Sequence, residues 1–144
     1  MDLFSALKIS SSGMSAQRTR LNVVSSNLAN INTTKTPEGG PYKRKSVVVQ
    51  AVSLNKPGTF ANAVDNAIRG VKVTQIKEDN SAPRMLYDPS HPDADENGYV
   101  AMPNVNMMEE MVDMLSASRA YEANAMAANT AKQMAQKAIE MGQR

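Results

Sequence analysis

Residues 107–141 read MMEEMVDMLSASRAYEANAMAANTAKQMAQKAIEM, a stretch that contains neither proline nor glycine. Asn106 precedes it with Glu109 three residues later, which is the pattern of a capping box, and Gly142 follows it. The sequence therefore predicts one helix of roughly 50 Å, far longer than most globular helices. Acidic residues lie near its start and basic ones toward its end, as the helix dipole favours: Glu109, Glu110, Asp113, Lys132 and Lys137.

The predicted helix carries more apolar surface than it can bury alone. Its apolar face runs through Met108, Met111, Leu115, Tyr121, Ala125, Ala128, Ala135 and Ile139. Further methionines lie beside that face, outside a single narrow seam. We expect an N-terminal helix to cover part of this surface and other chains to cover the rest.

An N-terminal helix is predicted over residues 3–31, where apolar residues repeat every seven positions. One seam consists of Leu7, Met14, Leu21 and Leu28, and the complementary seam contains Leu3, Val24 and Ile31. This pattern is typical of a coiled coil, so the terminal helices are predicted to pair antiparallel. Leu21 and Leu115 lie centrally in the two stripes and are expected to be buried where the helices meet.

Polar residues interrupt the N-terminal seam. Asn27 and Asn30 lie at or beside it, and we expect them to hydrogen-bond across the helix pair and fix its register, as buried Asn does in coiled coils. Residues 10–13, Ser-Ser-Ser-Gly, have low helix propensity, since Gly costs about 1 kcal/mol relative to Ala. They predict a bend or fraying in the first turns.

A small β insert is predicted between the helices. Four short strands are expected, the last two from weaker patterns, at residues 46–52, 71–76, 84–87 and 99–102. Turns are predicted at residues 56–58 and 78–80. Such an insert has too few large apolar groups to be stable alone, so the helices must support it.

The fold class is therefore mainly α with a small β insert. We divide the chain into an N-terminal assembly helix at residues 1–35, a β-rich insert at residues 36–103 and a C-terminal assembly helix at residues 104–144. The two helices form one discontinuous domain.

Composition excludes several classes of function. The chain has no Cys, so disulfides, thiolate metal sites and cysteine nucleophiles are excluded. Its net charge of +2 is too small and too dispersed to indicate a nucleic-acid partner. No apolar run approaches the roughly 18 residues of a membrane span, and Asp2 stands where a secretory signal needs basic residues. We therefore expect export, if any, to use another route.

Candidate chemical sites are weak. Residues 93–98 match the first half of a calcium loop, but Asn104 replaces the bidentate Glu and Pro103 stands where the exiting helix would begin. A turn with Asx hydrogen bonds is favoured over calcium. His91 is the only histidine and lies in a proline-flanked loop, so a histidine metal cluster or catalytic histidine is not expected. No cofactor, metal or catalytic residue is predicted.

Methionine is over-represented, with eleven in the chain. Met107, Met111 and Met114 have a spacing that could present three sulfurs to Cu(I). Packing is favoured, because flexible Met side chains let one surface meet several non-identical neighbours.

Two segments carry a family resemblance. Residues 15–33, SAQRTRLNVVSSNLANINT, are similar to the N-terminal signature of flagellar rod and hook proteins, and residues 118–124, SRAYEAN, resemble their C-terminal signature. Residues 36–42 and 89–106 narrow the resemblance to a proximal-rod member of this axial family.

The resemblance implies a structural, non-enzymatic subunit of the bacterial flagellar basal-body rod. Such a subunit assembles through its terminal helices into the proximal part of the drive shaft, which transmits torque across the periplasm. The implied partners are copies of itself, other rod proteins, membrane-ring and adaptor components at the rod base, and the type III apparatus that exports it without a cleaved signal peptide. Neither nucleic acid nor a small-molecule substrate is implied.

The assembly interface is predicted from the two helical stripes. It comprises Leu7, Met14, Leu21, Val24, Asn27, Leu28, Asn30, Ile31, Met108, Met111, Leu115, Tyr121, Ala125, Ala128 and Ile139. The alternative function is a soluble helical adaptor or export chaperone of a secretion system, which would also have apolar stripes and no active site. A β insert between assembly helices argues against that alternative.

Overall fold

The computed structural model describes residues 3–53 and 69–142, and in these ranges two long helices flank four strands. The elements are α1 (Leu3–Ala29), β1 (Lys45–Ser53), β2 (Arg69–Glu78), β3 (Arg84–Tyr87), β4 (Tyr99–Met102) and α2 (Met107–Gly142). Two terminal helices with short antiparallel strands between them confirm the predicted class at this level. The turn predicted at residues 56–58 lies outside the described residues. No helix in the described ranges is long and apolar enough to cross a membrane.

The two helices pack against each other in opposite directions. Asn27 near the end of α1 contacts Glu110 near the start of α2, whereas Gly13 lies beside Asn124 further along α2. Beyond Asn124, α2 continues to Gly142, while α1 extends only from Gly13 back to Leu3. At about 1.5 Å per residue, α2 therefore projects roughly 12 Å past the start of α1.

The expected fraying at residues 10–13 is wrong, because α1 is continuous from Leu3. Ser10 is buried, and the Ser12 hydroxyl donates to the Ile9 carbonyl at 2.7 Å. Gly13 faces α2, where a side chain would collide with Asn124. Contact with α2 thus outweighs the low intrinsic propensity of this segment.

Small and polar residues form the seam between the helices. The buried residues of the two helices include Ala16, Val23, Val24, Asn27, Glu110, Ala117 and Ala131. Glu110, Ala117 and Ala131 follow a seven-residue spacing, which also includes Asn124 and keeps one side of α2 toward α1.

The expectation that Leu115 is buried between the helices is wrong, since it is 60% exposed. It lies five positions after the buried Glu110, which turns its side chain roughly 140° away from the seam at 3.6 residues per turn. Leu21 of α1 is half-buried.

Two separate antiparallel ribbons make up the insert. β1 pairs with β2 from Lys45↔Glu78 to Ser53↔Arg69, with an irregularity between Val48 and Val49. Both strands contact α1, and the Val71 amide donates to the Ser12 hydroxyl at 3.1 Å. These contacts place the first ribbon against α1.

The second ribbon pairs β3 with β4 and places Tyr87 opposite Tyr99. Val100 and Met102 on β4 are buried, so the ribbon contributes to the core. After it, the Asn106 side chain accepts the Met108 amide at 3.0 Å and caps α2 as predicted.

Candidate assembly site

A buried polar cluster joins both helices to the insert, and Asn27 lies at its centre. The Asn27 side-chain NH2 donates to Glu110 Oε2 at 2.9 Å and to the Lys45 carbonyl at 2.8 Å. Its carbonyl oxygen accepts the Lys45 amide at 2.9 Å and the Tyr42 hydroxyl at 3.0 Å. All donor and acceptor positions of this amide are therefore used. The hydrogen bond to Glu110 confirms that Asn27 bonds across the helix pair.

Asn30 does not cross to α2, so that part of the prediction is wrong. Its side-chain NH2 donates to the Ser26 carbonyl at 2.8 Å, and its carbonyl oxygen accepts the Thr33 hydroxyl at 3.2 Å. Both bonds are local because Asn30 follows the last residue of α1 and satisfies the end of that helix.

Glu110 is fully buried, with 0% of its surface exposed. Arg44, from the segment before β1, donates through Nε to Glu110 Oε1 at 2.6 Å. This hydrogen bond raises the pKa of the Arg44 guanidinium. Asp113 extends the cluster. Its Oδ1 accepts a hydrogen bond from the Arg20 guanidinium of α1 at 2.9 Å, and its Oδ2 lies 3.6 Å from the Arg44 guanidinium.

Sequence reasoning missed this role of Glu110, which it interpreted only as a complement to the helix dipole. The available signal was its seven-residue spacing from Ala117 and Asn124, which marks a second stripe of small and polar residues. The resulting arrangement joins three chain segments to one another and fixes how the helices align, because a shift of either helix would leave a buried carboxylate unpaired.

Four apolar residues on the opposite side of α2 form an exposed surface, which we call the outer patch. Their exposed fractions are 68% for Met108, 46% for Met111, 63% for Val112 and 60% for Leu115. The spacing i, i+3, i+4, i+7 places them on one face of the helix. Three of the four were predicted to belong to the assembly interface.

The structure distributes the other predicted interface residues between exposed and buried positions. Tyr121 and Ile139 are exposed, and Val24 is buried between the helices. The remaining ones are half-buried: Leu7, Met14, Leu21, Leu28, Ile31, Ala125 and Ala128.

The calcium-like segment is a turn with Asx hydrogen bonds, as favoured from the sequence. Asp95 Oδ1 accepts the amides of Asn97 at 2.9 Å and Tyr99 at 2.8 Å, and Gly98 has a φ of 80°. Across residues 3–53 and 69–142, no three His, Asp or Glu side chains are grouped to hold a metal. His91 Nδ1 accepts the Asp93 amide at 3.1 Å, which gives it a local structural role.

Comparison with known proteins agrees with the terminal signatures. Residues 7–35 match the family described as flagella basal body rod protein, and residues 96–141 match the C-terminal family of the flagellar basal body rod FlgEFG proteins. The flagellar basal-body rod protein FlgC of Borreliella burgdorferi is 47% identical, covering 96% of this chain and 97% of the relative. The FlgC proteins of Bacillus subtilis and Salmonella typhimurium are 44% and 43% identical and cover 99% of this chain, with 99% and 100% of the relatives covered. The chain therefore belongs to the FlgC family of flagellar basal-body rod proteins.

Proposed function

We propose that this chain builds the flagellar rod through the outward faces of its terminal helices, with the outer patch of α2 as a principal contact. Family membership makes the chain a structural subunit of the flagellar basal-body rod, and self-assembly with other copies is part of the proposal. The observation that supports this mode of assembly is that the outer patch stays exposed although α1 and α2 are packed together. Exposed contiguous apolar surface on a monomer marks an interaction site.

The helix pair itself is proposed to act as an antiparallel coiled coil. Support comes from the seven-residue spacing of Glu110, Ala117 and Ala131 along the seam. In this proposal residues 1–35 and 104–144 are the two assembly helices, and residues 36–103 are the β-rich insert between them. The predicted interface residues on both helices contact neighbouring subunits where they remain exposed or half-buried.

The finer assignment is a place in the proximal part of the rod, transmitting torque across the periplasm after type III export without a cleaved signal peptide. The proposed partners are copies of the chain, other rod proteins and the ring and adaptor components at the rod base. Its relatives are structural rod proteins, which supports a subunit without catalytic activity or cofactor. The same relatives disfavour an adaptor or export chaperone.

A charge placed in the outer patch tests this route. Leu115→Asp should change the stability of the free subunit by about half a kcal/mol, because the side chain is exposed. Rod assembly should fail, because burying an unpaired carboxylate at a contact costs several kcal/mol. The measurements are the melting temperature of purified protein and the number of basal bodies in cells carrying only this variant.

Ser116→Asp is the matched control, since the neighbouring Ser116 is also exposed but lies outside the patch. It should retain normal rods. If Leu115→Asp also builds normal rods, the outer patch is not an assembly contact.

A further inference from the structure

Charge is strongly segregated over the described part of residues 3–113. Residues 3–53 and 69–77 contain ten Lys or Arg and a single acidic residue, Glu38, whereas residues 78–113 contain nine Asp or Glu and a single basic residue, Arg84. Ion pairs inside the subunit neutralise only some of these charges, namely those of Arg20, Arg44 and Lys45 and their acidic partners. Among the charges left without an ion pair in the described residues, two groups of opposite sign lie far apart.

The first surface is the turn between β3 and β4, and we call Asp93, Asp95 and Glu96 the acidic tip. All three are exposed, and none forms an ion pair within the described residues. The hydrogen bonds of Asp95 to the turn backbone hold the tip in one conformation, which lowers the entropy lost on binding. Beside it lie the exposed rings of Tyr87 and Tyr99, packed edge to face at 5.2 Å.

The second surface lies where β2 meets the first half of α1, and we call Lys8, Arg69 and Lys72 the basic end. These three side chains are exposed, and they too lack an ion pair within the part of the chain that the structure describes. The hydrogen bond from Val71 to Ser12 fixes β2 against α1 at this point. Val71 is itself partly exposed and adds apolar surface next to the charges.

The acidic tip lies beyond the C-terminal end of α1, whereas the basic end lies beside the first half of this helix. Thr34, just after the helix, donates to Asp93 at 2.7 Å and holds the acidic tip there, whereas the basic end lies around Ser12. Ser12 and Ala29 are separated by roughly 25 Å at the rise of an α-helix. One subunit therefore cannot bring its own acidic tip onto its own basic end.

We propose that neighbouring copies of this chain join head to tail, with the acidic tip of one copy docked on the basic end of the next. The inference rests on the proposed self-assembly and names the partner surface within it. Opposite charges steer and orient the contact, and the tyrosines supply large apolar groups against Val71. Because the contact joins two different surfaces, it repeats in one direction and generates a ring or an open helical assembly instead of a two-fold symmetric dimer.

Disulfide cross-linking tests the contact directly, since the chain has no cysteine of its own. Glu96→Cys and Lys72→Cys, expressed together as separate chains, should give a covalent dimer in assembled rods under mild oxidation. Neither single variant alone should do so. Glu122→Cys, an exposed position on α2, replaces Glu96→Cys in the control pair and should not cross-link to Lys72→Cys.

Charge reversal gives a second, independent measurement. Glu96→Lys or Lys72→Glu alone should lower the number of basal bodies roughly tenfold, because like charges then face each other across the contact. The double variant restores an opposite-charge pair at every contact and should recover most of the loss. Melting temperatures should stay unchanged, because both side chains are exposed.

The outcomes separate this inference from the proposed function. Absence of rods with the unaltered chain would reject the proposed function itself. Normal rods that show no Glu96–Lys72 cross-link, or variants whose charge reversal leaves assembly unaffected, would reject only the head-to-tail contact. A cross-link between two copies of Glu96→Cys would also reject it, since that product requires a symmetric contact.

Discussion

Gly13 of α1 approaches Asn124 of α2 so closely that a Cβ atom added to the glycine would lie 2.8 Å from Asn124 Oδ1 and 3.0 Å from its Cγ. The Asn124 side chain is held in place because its NH2 donates to the Ala120 carbonyl at 2.8 Å. The glycine therefore sets the distance between the helices at this level. Its cost in helix propensity is offset by the close packing that it permits.

A double-mutant cycle at this pair measures that relationship. Gly13→Ala in the unaltered chain should fail to stabilise the subunit, because Asn124 must move and lose its hydrogen bond. Gly13→Ala combined with Asn124→Ala should be more stable than Asn124→Ala alone by about 1 kcal/mol, the propensity gain of Ala over Gly. Urea unfolding of the four proteins gives the values. Equal effects of Gly13→Ala in both backgrounds would show that the two residues do not interact.

Replacement of the central amide should destabilise the fold far more than replacement of its neighbour. Asn27→Leu leaves Glu110, Tyr42 and the Lys45 backbone without their shared partner, at a cost of roughly 4 kcal/mol from about 1 kcal/mol for each of the four lost bonds. Asn30→Leu is the control, since it loses only two bonds and both are local, and it should cost about half as much. Both variants should remain helical by circular dichroism. Similar losses of stability would contradict the central position assigned to Asn27.

The ion pair of Arg44 and Glu110 should matter most when only one partner is removed. Arg44→Met leaves a buried carboxylate without its counter-charge and should destabilise the subunit by about 3–5 kcal/mol. Arg44→Met together with Glu110→Met removes both charges and should recover much of that loss. Denaturant midpoints of the two variants and the parent provide the comparison. A double variant as unstable as Arg44→Met alone would show that packing, and not the unpaired charge, dominates.

The turn that carries the acidic tip should depend on Gly98 for two separate reasons. Gly98 has a φ of 80°, and an added Cβ would lie 3.0 Å from Tyr87 Cε2 and 3.1 Å from Pro89 Cγ. Gly98→Ala should therefore destabilise the subunit by more than the cost of positive φ alone, which is roughly 1 kcal/mol. Gly40→Ala is the matched control, because Gly40 also has a φ of 80° but no atom within 4 Å of the added Cβ. If thermal unfolding shows equal losses for the two variants, the contact with Tyr87 and Pro89 has no energetic weight.

Local patterns in the sequence determined most of the secondary structure. The strands predicted at residues 84–87 and 99–102 have those bounds, and the helix predicted at residues 107–141 ends one residue later at Gly142. Asn106 and the Asx turn at Asp95 were also identified, because caps and turns depend on residues within a few positions of each other. The terminal signatures could be identified as those of the rod family because each is contained in one continuous segment.

The sequence also showed that α2 has more apolar surface than one partner covers, but tertiary structure alone decided which face of α2 meets α1. Hydrophobic periodicity identifies an apolar face without showing whether the same chain or another one buries it. Here the face toward α1 is lined by Glu110, Ala117 and Ala131, while Leu115 is left exposed. Pairing of Glu110 with Asn27 and Arg44 joins residues more than sixty positions apart, and the close approach at Gly13 depends on a neighbour on the other helix. Such contacts arise only when distant segments meet. The seven-residue spacing of Glu110, Ala117 and Asn124 marks a second stripe on α2, but a local pattern cannot identify the segment that packs on it.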